Sequence, residues 1–193
     1  MGAVRTLLAG ILLAAPLPAA AQSVATWRPL VEEAALRYNV PTSWIERVMR
    51  IESRGKTRLG GRPIVSSAGA MGLMQLMPRT WREMRALAGL GNDPFDPHDN
   101  IAAGALYLRL LYGRFGYPGL FAAYNAGPGR YGSFLAGRRA LPVETIRYMS
   151  AATGDLVSGS GRLASGDSVF SIRPKQALPL ASSDPLFAIR KVE

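Results

Sequence analysis

An all-α domain over residues 24–153, followed by a tail of different character, is what this sequence predicts, and three observations carry the prediction. Apolar residues recur at three- and four-residue spacing in successive segments, each bounded by Pro, Gly or Asn. No segment sustains the apolar–polar alternation of a half-buried strand, so little or no sheet is expected. After Gly154 the periodicity stops, and residues 155–193 are rich in Ser, Gly and Pro, a composition that suits a largely disordered, flexible tail. Leu186, Phe187 and Ile189 near its end could dock on the domain or on a partner.

The elements follow in order. Leu30, Val31, Ala34, Ala35 and Tyr38 share a face in a first helix within Val24 to Tyr38, which Asn39 and Pro41 end. A second helix is expected to open at Thr42 or Ser43, where Ser43 and Glu46 have the spacing of a capping box. Arg54 to Pro63 is a glycine- and arginine-rich loop, read as a surface insertion that could also reach over an anionic ligand. Ser66 to Pro78 is dense in small residues and methionines. Gly69 and Gly72 permit backbone paths that a side chain would block, and Met74 and Met77 can fill a core or touch a ligand. Pro78 opens a helix through Trp81, Met84 and Leu87, with Gly89 and Gly91 as its stop. Asn92 to Pro97 is a turn, after which Asp99 or Asn100 caps a longer helix with Ile101, Ala105, Leu108 and Tyr112 on its apolar face. Pro118 opens a short helix broken at Tyr124 to Gly129, and Pro142 to Ala152 forms the last, stopped at Gly154.

The chain has 193 residues, a formal charge of +10 and no cysteine, so one domain must stand on burial alone. Arg5, the apolar run Leu7 to Leu17 and Ala19-Ala20-Ala21 have the layout of a secretory signal peptide over residues 1–21, with cleavage expected after Ala21. Pro16 and Pro18 break the run, which is short for a membrane span. Residues 22–154 would then be the domain, exported to the periplasm or cell envelope. The positive balance suits an acidic envelope surface, although an arginine bias can also be composition alone; export weighs against nucleic acid as partner. No mature helix sets a strongly basic face opposite a bulky apolar one, so no stable membrane insertion is expected, and the chain is read as a monomer.

In the second helix Ile45, Val48, Met49 and Glu52 fall at i, i+3, i+4 and i+7, so the Glu52 carboxyl lies in line with the apolar stripe. Gly55 places it within a turn of the helix end, near the negative pole of the macrodipole. Both effects disfavour the charged form, and an acid protonated near neutral pH is what a general acid must be. A glutamate at the helix edge, reaching water or paired with Arg50 or Arg54, is the alternative. His98, the single histidine, sits in a turn and reads as structural; no metal cluster or nucleotide loop is visible, so neither a metal nor a cofactor is expected.

Four patterns occur in order: Glu52-Ser53; Gly72-Leu73-Met74-Gln75 followed by Pro78 and Thr80; Ala123-Tyr124-Asn125-Ala126-Gly127; and Glu144-Thr145 with Tyr148. Together, over residues 25–153, they resemble the catalytic domain of soluble lytic transglycosylases, glycoside hydrolase family 23, related in fold to goose-type lysozyme. The resemblance implies a lysozyme-like helical domain with Glu52 as sole catalytic acid and base. It would cleave the bond between N-acetylmuramic acid and N-acetylglucosamine in peptidoglycan and leave a 1,6-anhydro ring. It implies that Ser66 and Gln75 hydrogen-bond sugar substituents, that Met74 forms an apolar wall, and that the Tyr124 hydroxyl lies against the catalytic carboxylate with Asn125 beside it. Tyr148 would be a groove residue, Glu144 a buried structural acid, and Ser53 and Gly72 structural neighbours of the site. A small exported member also resembles the specialised transglycosylases that open the wall for conjugation, secretion or flagellar assemblies.

One carboxylate suffices when the nucleophile is intramolecular and needs only positioning. A lysozyme-type hydrolase on the same fold would need a second acid about 5 to 9.5 Å away, for which Glu144 and the Asp93, Asp96, Asp99 group are available. A glycan-binding module without catalysis is a third reading. The Arg54 to Pro63 loop stands where relatives of this family have a shorter segment, so the subsite it would line is left open.

Overall fold

The computed structural model describes residues 22–154. The expected signal peptide, residues 1–21, and the tail, residues 155–193 with Leu186, Phe187 and Ile189, lie outside the described residues. Ile101, Ala102, Ala103, Ala105, Leu108 and Leu111 are buried around almost the whole circumference of one 19-residue helix, Pro97–Phe115. A helix that is apolar on so many sides must be wrapped by others. Arg28–Tyr38 (α1), Thr42–Glu52 (α2), Pro78–Ala88 (α3) and Gly119–Ala126 (α5) pack against this central helix, α4, while Val143–Thr153 (α7) bridges α2 and α5. Pro128–Leu135 (α6) packs on α5. Among the described residues the sheet amounts to two antiparallel two-residue strands, Arg58–Leu59 (β1) and Arg62–Pro63 (β2), with Arg58 opposite Pro63 and Leu59 opposite Arg62. No described helix is long and apolar enough to cross a membrane.

Most expected helices are found, and their ends show where local signals misled. The first splits into a 3₁₀ turn, Val24–Trp27, and α1. Pro41, extended at φ −60° and ψ 134°, is the N-cap of α2, so Ser43 already lies inside the helix and makes no capping box with Glu46. Glu46 instead faces Arg28 at 3.6 Å. In α4 the cap is Asp96, whose carboxylate accepts the Asp99 N–H at 3.0 Å; neither Asp99 nor Asn100 fills that role. Helix α6 went unforeseen because Tyr124 to Gly129 reads as a breaker; the chain does break at Gly127, φ +86°, and Pro128 then restarts it at once. The Arg54 to Pro63 loop, read as a surface insertion, carries the hairpin β1–β2. Leu87 and Tyr112 stay substantially exposed at the margins of their helix faces.

The start of α2 is fixed by aromatic packing. The Trp44 ring meets Tyr112 edge-on at 5.1 Å and Phe121 at 6.0 Å, which ties α2 to α4 and α5. Its other end, where Glu52 sits, is therefore held on a braced rod.

Candidate functional site

Glu52 is the last residue of α2, half-buried, and Ser53 ends the helix beneath it. The buried Ser53 hydroxyl donates to the Met49 carbonyl at 3.2 Å and accepts the Gly55 N–H at 3.1 Å, closing the helix with its own side chain. The chain then leaves through two left-handed residues, Arg54 at φ +56° and Gly55 at φ +75°. A Cβ on Gly55 would lie 2.4 Å from the backbone of Ser23 and Val24, so only glycine fits there. Its carbonyl accepts the Trp27 indole N–H at 2.8 Å.

Burial is the main cause that pushes the Glu52 carboxyl up to about 7. The Tyr148 hydroxyl, which donates to Glu52 Oε1 at 2.7 Å, pulls the other way, and the negative charge of Glu144 adds to the rise. Tyr148 is buried on α7, and burial together with the Glu52 charge holds its phenol well above the ordinary value, so it remains a donor. Expected acid and expected groove residue thus meet directly.

The tyrosine roles differ from the expectation. The buried Tyr124 hydroxyl donates to the Met74 carbonyl at 2.7 Å, and the phenol on the Glu52 carboxylate belongs to Tyr148. Burial raises the Tyr124 pKa well above the ordinary value, and the charge of Glu52 adds to the rise. One hydroxyl proton serves one acceptor, and the Met74 carbonyl takes that of Tyr124.

The other wall is the tight loop Met71 to Leu76, closed by Met71 and Leu76 exchanging backbone hydrogen bonds at 2.9 and 3.1 Å. Gln75 is left-handed at φ +46°, and its side-chain amide donates to the Gly72 carbonyl at 2.8 Å. The Met74 side chain is wholly buried, against the backbone of Gly104 on α4, so it is core and not the apolar groove wall that was expected. Ser66 is exposed, and its hydroxyl accepts the Ala70 N–H at 3.0 Å, shaping its own turn. The Asn125 side-chain carbonyl accepts the Thr145 hydroxyl at 2.8 Å, a tie between α5 and α7. Glu144 is exposed in the first turn of α7, one helical turn before Tyr148, and is not the buried acid that was expected.

Asn100 was missed as a site residue. It is buried on α4, with Oδ1 accepting the Met74 N–H at 2.7 Å and Nδ2 donating to the Met71 and Pro94 carbonyls at 3.2 and 2.9 Å. A Cβ on Gly72 would come within 2.4 Å of Asn100 Nδ2, which explains the glycine. The signal was available: Asn100 falls in line with Ala103, Tyr107, Leu108 and Leu111, an amide in an apolar stripe just as Glu52 is an acid in one.

Of the acids weighed as a second catalytic carboxylate, Glu144 alone contributes to the rise of Glu52. Asp93 accepts the Phe95 N–H, Asp96 caps α4, and Asp99 accepts the Gly91 N–H at 2.7 Å and meets His98 Nδ1 at 2.9 Å. His98 Nε2 lies 3.2 Å from Glu33, and these partners raise its pKa, in keeping with a structural histidine. Asp96, His98 and Asp99 bring ligand atoms within 4.8 Å of one another, but each is already committed to these bonds.

A braced helical domain with a half-buried acid at a helix end, held by a phenol, defines a lysozyme-like architecture with Glu52 at its site. The chain belongs to the transglycosylase SLT domain family, whose model matches residues 29–145. It is 32% identical over 143 residues to the soluble lytic murein transglycosylase of Escherichia coli, a match covering 65% of this chain and 21% of that protein. Over 116 residues it is 34% identical to the membrane-bound lytic murein transglycosylase C of Haemophilus influenzae, covering 52% of this chain and 31% of the relative. Among solved structures, an inactive mutant of the lytic transglycosylase Slt of Pseudomonas aeruginosa matches with a TM-score of 0.57 at 31% identity, over 65% of this chain and 22% of that one. The 70 kDa soluble lytic transglycosylase of E. coli matches with a TM-score of 0.56 at 30% identity, over the same shares. The chain therefore corresponds to about a fifth to a third of the length of these relatives.

Proposed function

We propose that this chain is an exported peptidoglycan lytic transglycosylase, with residues 1–21 as its signal and residues 22–154 as its catalytic domain. It cuts the β-1,4 bond from N-acetylmuramic acid to N-acetylglucosamine and so loosens the cell wall locally. The observation that carries the reading is Glu52, a half-buried carboxyl raised to about 7 and hydrogen-bonded by Tyr148. Family membership and the lytic murein transglycosylases among its relatives support the substrate class.

With Oε1 engaged by Tyr148, Oε2 is the oxygen free to carry the proton. Protonated Glu52 gives that proton to the glycosidic oxygen as the bond from C1 breaks, and the neighbouring acetamido oxygen stabilises the positive charge at C1. The Glu52 carboxylate then takes the proton of the C6 hydroxyl of the same sugar, whose oxygen bonds to C1. No water is consumed, and the product is a 1,6-anhydro end. An intramolecular nucleophile needs orientation only, which a single carboxyl can provide. Gln75, Ser66 and Asn125 are assigned to the groove that orients the strand.

Mass spectrometry of digested peptidoglycan tests this reading. Muropeptides with anhydro ends are expected from the wild type and none from Glu52→Gln. Products that all carry reducing ends, one water heavier, would instead make the chain a muramidase on the same fold.

A further inference from the structure

The hairpin β1–β2 is absorbed by none of the chemistry above, and its charge is one-sided. No acidic residue occurs between Glu52 and Glu83, whereas Arg54, Lys56, Arg58 and Arg62 fall within nine consecutive residues. All four are exposed. Arg58 donates to the Gly61 carbonyl at 2.8 Å, which shapes the turn without neutralising the charge, and none of the four forms an ion pair with a described residue. Like charges gathered on so short a hairpin repel one another unless an anion joins them.

The hairpin is also built into the site. At its outgoing base the Gly55 carbonyl is held by Trp27, while the Thr57 N–H and hydroxyl both donate to Gln22 Oε1 at 3.0 and 2.8 Å. At its return, the Ile64 N–H donates to the Thr57 carbonyl at 2.9 Å, and the Ile64 carbonyl accepts from the Gly72 N–H at 3.2 Å and Gln75 Nε2 at 3.5 Å. The Arg54 to Pro63 loop that carries the hairpin thus starts two residues after Glu52, and the return of the hairpin is bonded to the loop that carries Gln75. Leu59 and Val65 beside the cations are left 67% and 49% exposed, giving the same surface an apolar component.

We propose that this hairpin binds the carboxylates of the short peptides that peptidoglycan carries on its muramic acid residues, so that the enzyme favours strands with their peptides attached. The inference rests on the peptidoglycan reading above and deepens it. Peptides of this kind join free carboxylates to alkyl side chains, the complement of arginines interleaved with Leu59 and Val65. A strand stripped of its peptides keeps one lactyl carboxylate on each muramic acid, close to the sugar ring. It loses the further carboxylates and alkyl side chains that the peptide carries away from it.

The test is retention of the purified protein on glycan strands with intact peptides and on the same strands stripped by an amidase, in about 50 mM and about 300 mM salt. Wild type should bind intact strands about five- to tenfold more tightly in low salt, with the difference shrinking in high salt. The variant with Arg54, Lys56, Arg58 and Arg62 all changed to Gln should lose the difference, and the variant with the three arginines changed to Lys should keep most of it. Equal retention of both strands by wild type, or a preference that survives removal of the four charges, overturns the proposal. Retention and shortening of the strands are read separately, with the Glu52→Gln chain giving retention alone. The two readings therefore fail separately: strands held through their peptides but never shortened by wild type would overturn the transglycosylase reading alone.

Discussion

Tyr148 and Glu144 sit one helical turn apart on α7 and act on Glu52 with opposite sign, which makes the acid's tuning open to experiment one side chain at a time. Glu52 must hold its proton to begin the reaction, so kcat/KM should fall as pH rises through about 7. Tyr148→Phe removes a bond that favours the carboxylate; the alkaline limb should move to higher pH, while kcat drops about ten- to hundredfold through lost orientation. Glu144→Gln removes a charge that disfavours the carboxylate, so the same limb should move to lower pH, and less so in high salt because Glu144 is exposed. Shifts in the same direction would disprove this account of the tuning. Glu52 could be found in the sequence because a carboxyl in an apolar stripe breaks a pattern. The division of labour between Tyr124 and Tyr148 could not, since both are buried tyrosines on neighbouring helices and only the packed rings decide which hydroxyl reaches which oxygen.

Between elements, the site depends on two polar clamps and one close approach. Arg47 on α2 reaches the end of α7, donating from Nη1 to the Ala152 and Thr153 carbonyls at 3.0 and 2.9 Å. A guanidinium there satisfies carbonyls left open at a helix C-terminus and complements its dipole. Arg47→Met should cost about 1–2 kcal/mol in urea denaturation and loosen Tyr148 over Glu52. Asn100 plays the corresponding part for the Met71 to Leu76 loop, and Gly104 lets that loop lie close to α4: a Cβ there would stand 2.7–2.8 Å from Met74 atoms. Gly104→Ala should destabilise by about 1–3 kcal/mol through overpacking. A milder effect would mean that Met74 has room to turn. The helices themselves were readable from periodicity and from stops such as Gly89 and Gly154. Their caps were not, because Ser43 and Asp99 carry the right chemistry one to three residues away from the positions where backbone geometry starts each helix.

Across the whole molecule, Glu52, the Gln75 loop, Tyr124 and Tyr148 come from separate stretches of chain and meet only because α2 and α5 pack against α4 and α7 bridges the two. Periodicity tells which face of each helix is buried but not which neighbour covers it, so this convergence was available in the sequence only through the resemblance of the ordered motifs. The convergence burdens folding, because it takes a carboxyl out of water. In the unfolded chain Glu52 titrates near the ordinary 4.5, and in the folded chain at about 7. Between those values the folded chain keeps a proton that the unfolded chain has lost, so the stability contribution is full below about pH 4.5, declines as pH rises through 7 and is flat above. Glutamine cannot ionise and can still accept the Tyr148 hydroxyl. Thermal melts should therefore show Glu52→Gln exceeding wild type by a few degrees at about pH 8, with the gap closing toward about pH 4. A gap independent of pH would mean that the wild-type carboxylate is well solvated. Buried acid chemistry would then lose its basis, even in a chain that still cuts the wall.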